Sequence, residues 1–397
     1  MSASVRERLG MMTGSELAEP QPPAGASRVP EQLLAAGWRE IAPCVYGRDG
    51  EAPVPPRVAG GDAASRLLPD DCRIGDCLFW DTETTGLAGA GTVIFLVGCG
   101  WVEGPRVRFH QVFLADFPGE QRFLEHLRDL FSRFGAFVSY NGKAFDSTIL
   151  RTRLVMSGVT MALGYQLDLL YLARRFWRRL LDNCRLTTIE QEVLDVRRGD
   201  DIPGWMAPEI YFDSLRRGVL GELPAVFRHN ESDVLALVRL LAVVNGVLAG
   251  GADQEPLVGV DRGAVGSFLL QQGDRRGAHM LRQAYRGGDE DAGNLLGLHF
   301  KRASDWRSAV SLWQDMVRVH DSLRAAVELS KYYEHRARDL PAALASIAPF
   351  LAAHSAGAQS AGAPGGGTPA RDALGELSGL VHREARIRAK LRRAAAT

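Results

Sequence analysis

The sequence predicts an α/β domain, a mixed sheet with helices packed on it, followed by an all-α domain. Three observations carry that expectation. Apolar or alternating runs of strand length crowd residues 72–140, separated by short Gly-rich links. From about residue 145 to 249 the apolar residues fall mainly at helical spacing. Beyond Gly250-Gly251 the pattern is helical throughout and repeats itself at a spacing of 34 residues.

Residues 1 to about 30 are rich in Pro, Ala, Gly, Ser and Glu and are expected to be disordered. Glu31 to Arg57 holds a short helical pattern (Leu33, Leu34, Trp38) and the Pro-rich run Pro53 to Pro56, and reads as an appendage. Cys72 to Asp81 leads into and forms a first strand, Thr92 to Cys99 a second and Arg106 to Leu114 a third; short links favour antiparallel neighbours. A helix comes next over Glu120–Phe134, where Phe123, Leu127, Leu130 and Phe131 share a face. Ala136 to Tyr140 is a fourth strand, Phe145 to Met156 a helix, and Gly164 to Leu167 a short fifth strand ending at Asp168, which suits a helix cap. Three strands, helix, strand, helix, strand is the order of a ribonuclease-H-like fold. Helices are expected over Leu169–Leu181, from a capping box at Thr187-Thr188-Ile189-Glu190, over Pro208–Arg217 and over Leu223–Leu248. In the last part, Ala303-Ser304-Asp305-Trp306 with Ala309 recurs as Ala337-Arg338-Asp339-Leu340 with Ala343, the period of tetratricopeptide helix pairs. Ser355 to Pro369 is a low-complexity connector before a basic helix over Asp372–Ala395. The expected divisions are therefore 1–70, 71–249, 260–354 and 355–397.

The 397 residues are enough for two domains, and the composition is that of a soluble globular protein. Formal net charge is zero, so any nucleic-acid binding must rest on a local patch. Five cysteines without a Cys-x-x-Cys pair point to neither a disulfide framework nor a structural zinc site. The N-terminus lacks a signal-peptide core, and Arg239 and Asn245 interrupt the longest apolar run, so a cytoplasmic location without membrane contact is expected.

The chemistry gathers at three places. In Phe79-Trp80-Asp81-Thr82-Glu83-Thr84-Thr85-Gly86-Leu87, strand alternation turns Asp81 and Glu83 to one side and Thr82 to the other. Two carboxylates at the end of an apolar strand repel each other, and a cation offsets that; oxygen ligands of this kind suit Mg²⁺ or Mn²⁺. The triplet alone reads equally as a solvated turn. Asp146, just after the fourth strand, comes near Asp81 and Glu83 if the first and fourth strands are neighbours, although the helix dipole alone also favours Asp there. His229 and Asp233 stand four apart, on one face of an otherwise apolar helix.

Together Asp81, Glu83, Asp146 and Asp233 are similar to the ligand set of the DEDD exonucleases, 3′–5′ nucleases on a ribonuclease-H-like fold. More closely, Asp81 to Leu87, Tyr140-Asn141-Gly142-Lys143-Ala144-Phe145-Asp146, Arg197-Arg198-Gly199-Asp200-Asp201-Ile202-Pro203-Gly204 and His229 to Asp233 resemble the bacterial YprB family. That family joins a nuclease-like domain to tetratricopeptide-like helices, and Tyr332 to Arg336 resembles its tail. The resemblance spans roughly residues 72–350. It implies a metal-dependent 3′–5′ exonuclease acting on single-stranded DNA or RNA. One Mg²⁺ or Mn²⁺ ion is implied between Asp81, Glu83 and Asp233, and a second near Asp81 and Asp146. His229 is implied as the base, Thr82, Thr84, Asn141 and Lys143 as substrate contacts, and the helical tail as a protein-docking surface. One position departs from the superfamily, whose base is Tyr four residues before the last Asp or His five before it. Here His229 takes the Tyr spacing and Arg228 the His place, a step of about 100° around the helix. Two alternatives stay open: a nuclease fold without turnover that binds nucleic acid or serves as a scaffold, and an endonuclease. The Arg197 to Gly204 loop reads equally as a substrate-shaping turn or a solvated one.

Overall fold

The computed structural model describes residues 27–54, 67–86, 89, 91–199, 201–250, 259–353 and 371–395, with side chains of the last helix from residue 378 onward. Two strands that the sequence pattern conceals open the sheet. Helix α1 (Val29–Ala35) is followed by β1 (Arg39–Ala42) and β2 (Val45–Pro53). Residues 31–54 of the expected Glu31–Arg57 appendage are therefore part of the domain, and 55–57 lie outside the described residues. Leu33, Trp38, Val45 and Tyr46 are buried in the main core, and β2 pairs with a later strand along its whole length, Val45 opposite Leu114 to Pro53 opposite Arg106. The signal was hidden because Gly47, Arg48, Asp49, Gly50 and Glu51 are not apolar and the outer half of β2 faces solvent. Of the first 30 or so residues expected to be disordered, 1–26 lie outside the described residues, as does the low-complexity stretch 355–369.

The predicted strands are present as β3 (Cys77–Thr84), β4 (Ile94–Glu103), β5 (Arg106–Leu114), β6 (Ala136–Ser139) and β7 (Tyr165–Asp168). The sheet runs β1-β2-β5-β4-β3-β6-β7. Only β3–β6 and β6–β7 are parallel; the tightly linked β3, β4 and β5 are antiparallel. Parallel pairing of β3 with β6 sets the C-terminal ends of both strands at one edge of the sheet, where Asp81, Glu83 and the loop to Asp146 lie. This mixed sheet with flanking helices is ribonuclease-H-like.

Helices cover the sheet: α2 (Glu120–Phe131), α3 (Asp146–Met156), α4 (Leu169–Trp177), α5 (Leu186–Glu192), α6 (Ala207–Arg217) and α7 (Leu223–Ala249). Asp168 caps α4, accepting from the Leu170 N–H at 3.0 Å. The expected capping box at Thr187 is absent, since α5 begins two residues earlier, with Arg185 at its N-cap, and its Glu190 turns inward to another partner. Helix α7 is long and apolar enough to cross a membrane, but most of its apolar stretch is buried, and it packs on β3, β4 and β5.

The chain divides into two compact units, Met1–Gly250 and Gly251–Thr397. The second contains α8 (Arg262–Gln271), α9 (Arg276–Arg286), α10 (Glu290–Arg302), α11 (Trp306–His320), α12 (Leu323–Tyr332), α13 (Leu340–Ala345) and α14 (Arg371–Ala394). Consecutive helices pack on each other. The 34-residue repeat marks equivalent joints: Ser304 and Arg338 take left-handed backbone, with φ of 59° and 56°, and Asp305 and Asp339 cap the next helix. Ala309 and Ala343 are fully buried, small side chains that let neighbouring helices close up.

Candidate active site

The carboxylates come from three elements. Asp81 and Glu83 stand on β3, Asp146 opens α3, and Asp233 lies in the middle of α7. What brings α7 onto the sheet is a pair of glycines. Gly98 and Gly100 sit on one face of β4, and Gly98 is the register partner of Asp81. A Cβ at Gly98 would lie 2.2 Å from Asn230 Oδ1, and one at Gly100 would lie 2.8 Å from Val234 Cγ1. The bare backbone thus lets Asn230 and Val234, one turn apart, seat against the strand. Asn230, fully buried, donates through Nδ2 to Asp81 Oδ2 at 3.0 Å and to its backbone oxygen at 3.3 Å. Its own oxygen accepts from Gln111 Nε2 at 3.0 Å, and Gln111 is held in turn by Arg48 of β2 at 2.8 Å. The unforeseen β2 thus reaches Asp81 through the relay of Arg48, Gln111 and Asn230.

These acids act on one another. Burial raises the Asp81 carboxyl well above the ordinary carboxylate range, and the charges of Asp233, Asp146 and Glu83 raise it further. Glu83 is raised in the same way by burial, then by Asp233, Asp146 and Asp201. Asp146, 6% exposed, is pushed up to about 6 by burial, although a hydrogen bond from Thr82 opposes the rise. Asp168 adds to that rise and also accepts from the Asn141 N–H at 2.8 Å and the Lys143 N–H at 3.3 Å, which fixes the loop leading to Asp146.

The donor set is four carboxylates, hard oxygen ligands short of cations, which is the chemistry that Mg²⁺ or Mn²⁺ fits. Each of three acids is turned onto an internal partner: Asp81 onto Asn230, Asp146 onto Thr82 and Asp233 onto Arg198. Correspondingly, among the described residues no three His, Cys, Asp or Glu side chains stand at ligating distance of one point.

The other predicted contacts divide. Thr82, foreseen as a substrate contact, commits its hydroxyl to Asp146. Thr84 commits its own to the Gly86 carbonyl at 2.7 Å, closing the turn after β3. Asn141 and Lys143 are exposed on the loop before α3, with Asn141 in left-handed backbone at φ 64°.

His229 points inward and Arg228 outward, so the one-residue shift selects the imidazole for the site. Its Nε2 lies 3.6 Å from Asp233 Oδ2. On its other side, Nδ1 lies 2.9 and 3.0 Å from the two Asp201 oxygens and 3.1 Å from Arg198 Nη1. Arg198 also donates to Asp201 Oδ2 at 2.9 Å and bonds Asp233. Its Nη2 stands 2.8 Å from Glu190 Oε2, an ion pair without hydrogen-bond alignment. Asp201 is held below its ordinary value: burial pushes it up, but the bonds from His229 and Arg198 outweigh that. The Arg197 to Gly204 loop is thus part of the site. Arg198, Asp201 and Glu190 were not singled out as site residues, because their partners are 28–35 residues away or reached across helices.

A groove of about 730 Å³ in the second unit, lined by Leu295, Leu298, Val327 and Leu380 between Asp291 and Arg383, is mainly apolar and carries no comparable cluster.

The match to a family model agrees with this picture of the fold. Residues 78–245 match the family model of the ribonuclease H superfamily. The chain is 33% identical over 284 residues to the uncharacterized protein YprB of Bacillus subtilis (strain 168), covering 67% of each chain, and it belongs to the YprB family. Among solved structures it is similar, at 18% identity and a TM-score of 0.36, to the family B DNA polymerase of the hyperthermophilic archaeon Pyrobaculum calidifontis, over 53% of this chain and 29% of that one.

Proposed function

We propose that this chain is a metal-dependent nuclease that shortens single-stranded DNA or RNA from its 3′ end. The observation that carries the reading is the mutual repulsion of Asp81, Glu83, Asp146 and Asp233, delivered to one place by β3, α3 and α7. Nothing in the packing of the sheet calls for four acids there. Asp81, Glu83 and Asp233 would hold one Mg²⁺ or Mn²⁺ and Asp81 with Asp146 a second. When bound, such ions supply Lewis-acid stabilisation and lower the pKa of water.

The chain's own groups do the rest. His229 Nε2, facing Asp233, accepts the proton of the attacking water. Asn141 and Lys143, exposed on the loop that enters α3, hold a phosphate or sugar of the strand. Gly204 lies against the imidazole, and Trp205, the next residue, is 74% exposed and offers a face on which a base can stack.

The test is a panel of labelled linear and circular, single- and double-stranded DNA and RNA in Mg²⁺ and Mn²⁺. Stepwise loss from 3′ ends, none from circles, and silence with chelator are expected; nicking of circles would replace the exonuclease reading with an endonuclease. His229→Ala should lower the rate by roughly 10²–10⁴-fold, the usual range for losing acid–base catalysis. His229→Tyr, the superfamily's commoner residue at this spacing, should retain more activity than Ala.

A second reading, a nucleic-acid-binding module without turnover, is favoured by one observation: the Arg198 guanidinium already neutralises Asp233. Calorimetric titration with Mn²⁺ decides between the two, since the second predicts no binding that Asp81→Asn removes.

A further inference from the structure

Two bonds meet at Nδ1 of His229, and they demand opposite things of it. A carboxylate can only accept, so the contacts at 2.9 and 3.0 Å to Asp201 require a proton on Nδ1. A guanidinium can only donate, so the 3.1 Å contact to Arg198 Nη1 would require a bare nitrogen. The first demand wins on electrostatic grounds. A lone pair facing two carboxylate oxygens would be repelled by both, whereas Arg198 has Asp201, Asp233 and Glu190 to accept from it or balance it. Asp233 also favours a proton on the nitrogen facing it, but its oxygen is 3.6 Å from Nε2, against 2.9 and 3.0 Å for the two Asp201 oxygens at Nδ1. A neutral ring therefore carries its proton on Nδ1 and its lone pair on Nε2. The same loop keeps that nitrogen open. A Cβ at position 204 would lie 3.2 Å from Nε2, so Gly204 leaves room where a side chain would crowd it.

We propose that Asp201 is the positioning residue for His229, fixing the Nδ1–H tautomer and aiming Nε2 at the carboxylate centre, with Arg198 tying Asp201 and Asp233 into one frame. Its bearing on catalysis rests on the reading of His229 as general base. Asp201 does not touch the reacting atoms. It acts as an orienting carboxylate does wherever one holds an imidazole in its working tautomer.

Asp201→Asn tests this without removing bulk. Arg198 keeps the amide oxygen, which leaves the Asn Nδ2 donating to the ring, and the ring proton moves to Nε2. The full chain, labelled with ¹⁵N only in histidine rings and free of metal, is measured by long-range ¹H–¹⁵N correlation over a series of rising pH, and the tautomer is read where the ring nitrogen shifts stop changing and show a neutral imidazole. His229→Gln identifies the signals. The expected result is an Nδ1–H imidazole in the native chain and an Nε2–H imidazole in Asp201→Asn. On labelled single strands Asp201→Asn should lower kcat by roughly 10²–10⁴-fold with KM little changed, and Asp201→Glu should recover part of it. An Nε2–H ring in the native chain, or an unmoved tautomer in Asp201→Asn, overturns the proposal. If the tautomer moves as stated while His229→Ala cleaves at the native rate, Asp201's hold on the ring stands and the general-base reading falls.

Discussion

Buried carboxylates appear in both units of this chain, and they are treated in opposite ways. In the second unit Glu334, its side chain fully buried, sits on the irregular turn after α12 among cations from α14. Arg383 Nη1 donates to it at 3.1 Å, Arg386 Nη2 at 2.6 Å and Lys390 Nζ at 2.8 Å. Burial alone would raise its pKa; those cations hold it down to about 2. In the first unit Asp81, Glu83 and Asp146 are raised, and the guanidinium of Arg198 beside them is shared among Asp233, Asp201 and Glu190. A carboxylate closed in by cations is a staple, here pinning the last helix. Carboxylates pressed together with too few cations are destabilising unless something else is to bind.

The sharpest way to break that contrast is Asp81→Asn. Cleavage should fall to the assay's background, while the metal-free chain unfolds a few degrees higher because one repelling charge is gone. Equal cleavage by the variant would assign the activity elsewhere; a lower unfolding temperature would mean the cluster is not strained.

The four acids were legible in the sequence because each lies in a local pattern: a strand end, a helix start, a helix face. Gly98 and Gly100 alternating on an otherwise apolar strand, with Asn230 and Val234 at helical spacing, also announce a close helix–sheet approach, although that inference needs the pairing of two distant segments. Strands β3, β4 and β5 declared themselves by apolar runs or alternation. Strands β1 and β2 did not, because an edge hairpin with glycines and charges on its open face lacks both signals. Arg198, Asp201 and Glu190 could not be found that way. A salt-bridged loop and a solvated loop have the same composition, and only tertiary contact tells them apart.

The two kinds of buried carboxylate give opposite pH dependences of stability. Glu334 titrates lower in the folded chain than unfolded, so its stabilisation is present above the ordinary glutamate value and fades as pH falls through about 2. Asp146, Asp81 and Glu83 titrate higher when folded, so their repulsion is absent at acid pH and grows as pH rises, through about 6 for Asp146. Glu334→Gln should therefore destabilise the second unit at pH 7 by about 2–3 kcal/mol, below the ~3–5 of a fully enclosed pair because Arg386 and Lys390 reach solvent. That loss should shrink at pH 2–3, whereas the gain from Asp81→Asn should be largest at neutral pH and vanish in acid. Denaturant titrations of the two variants and the native chain at three pH values measure both; parallel pH profiles would abolish the distinction.

The smallest effect separates the inner side of the Arg197 to Gly204 loop from the solvent-facing residue just beyond it. Asp201 and Gly204 face His229, but Trp205 presents its indole to solvent. A base stacked on an aromatic ring contributes about 1–3 kcal/mol, and a single exposed ring without a second wall belongs at the low end. Trp205→Ala should then raise KM for single strands roughly fivefold, about 1 kcal/mol, with kcat unchanged. Trp205→Phe should restore most of the loss, since any aromatic face stacks. Duplex substrates, whose bases are already stacked on each other, should respond less. A fall in kcat equal to the loss in kcat/KM would instead mean that the ring buttresses Gly204 and the imidazole. An Ala variant indistinguishable from Phe would take Trp205 out of substrate binding altogether.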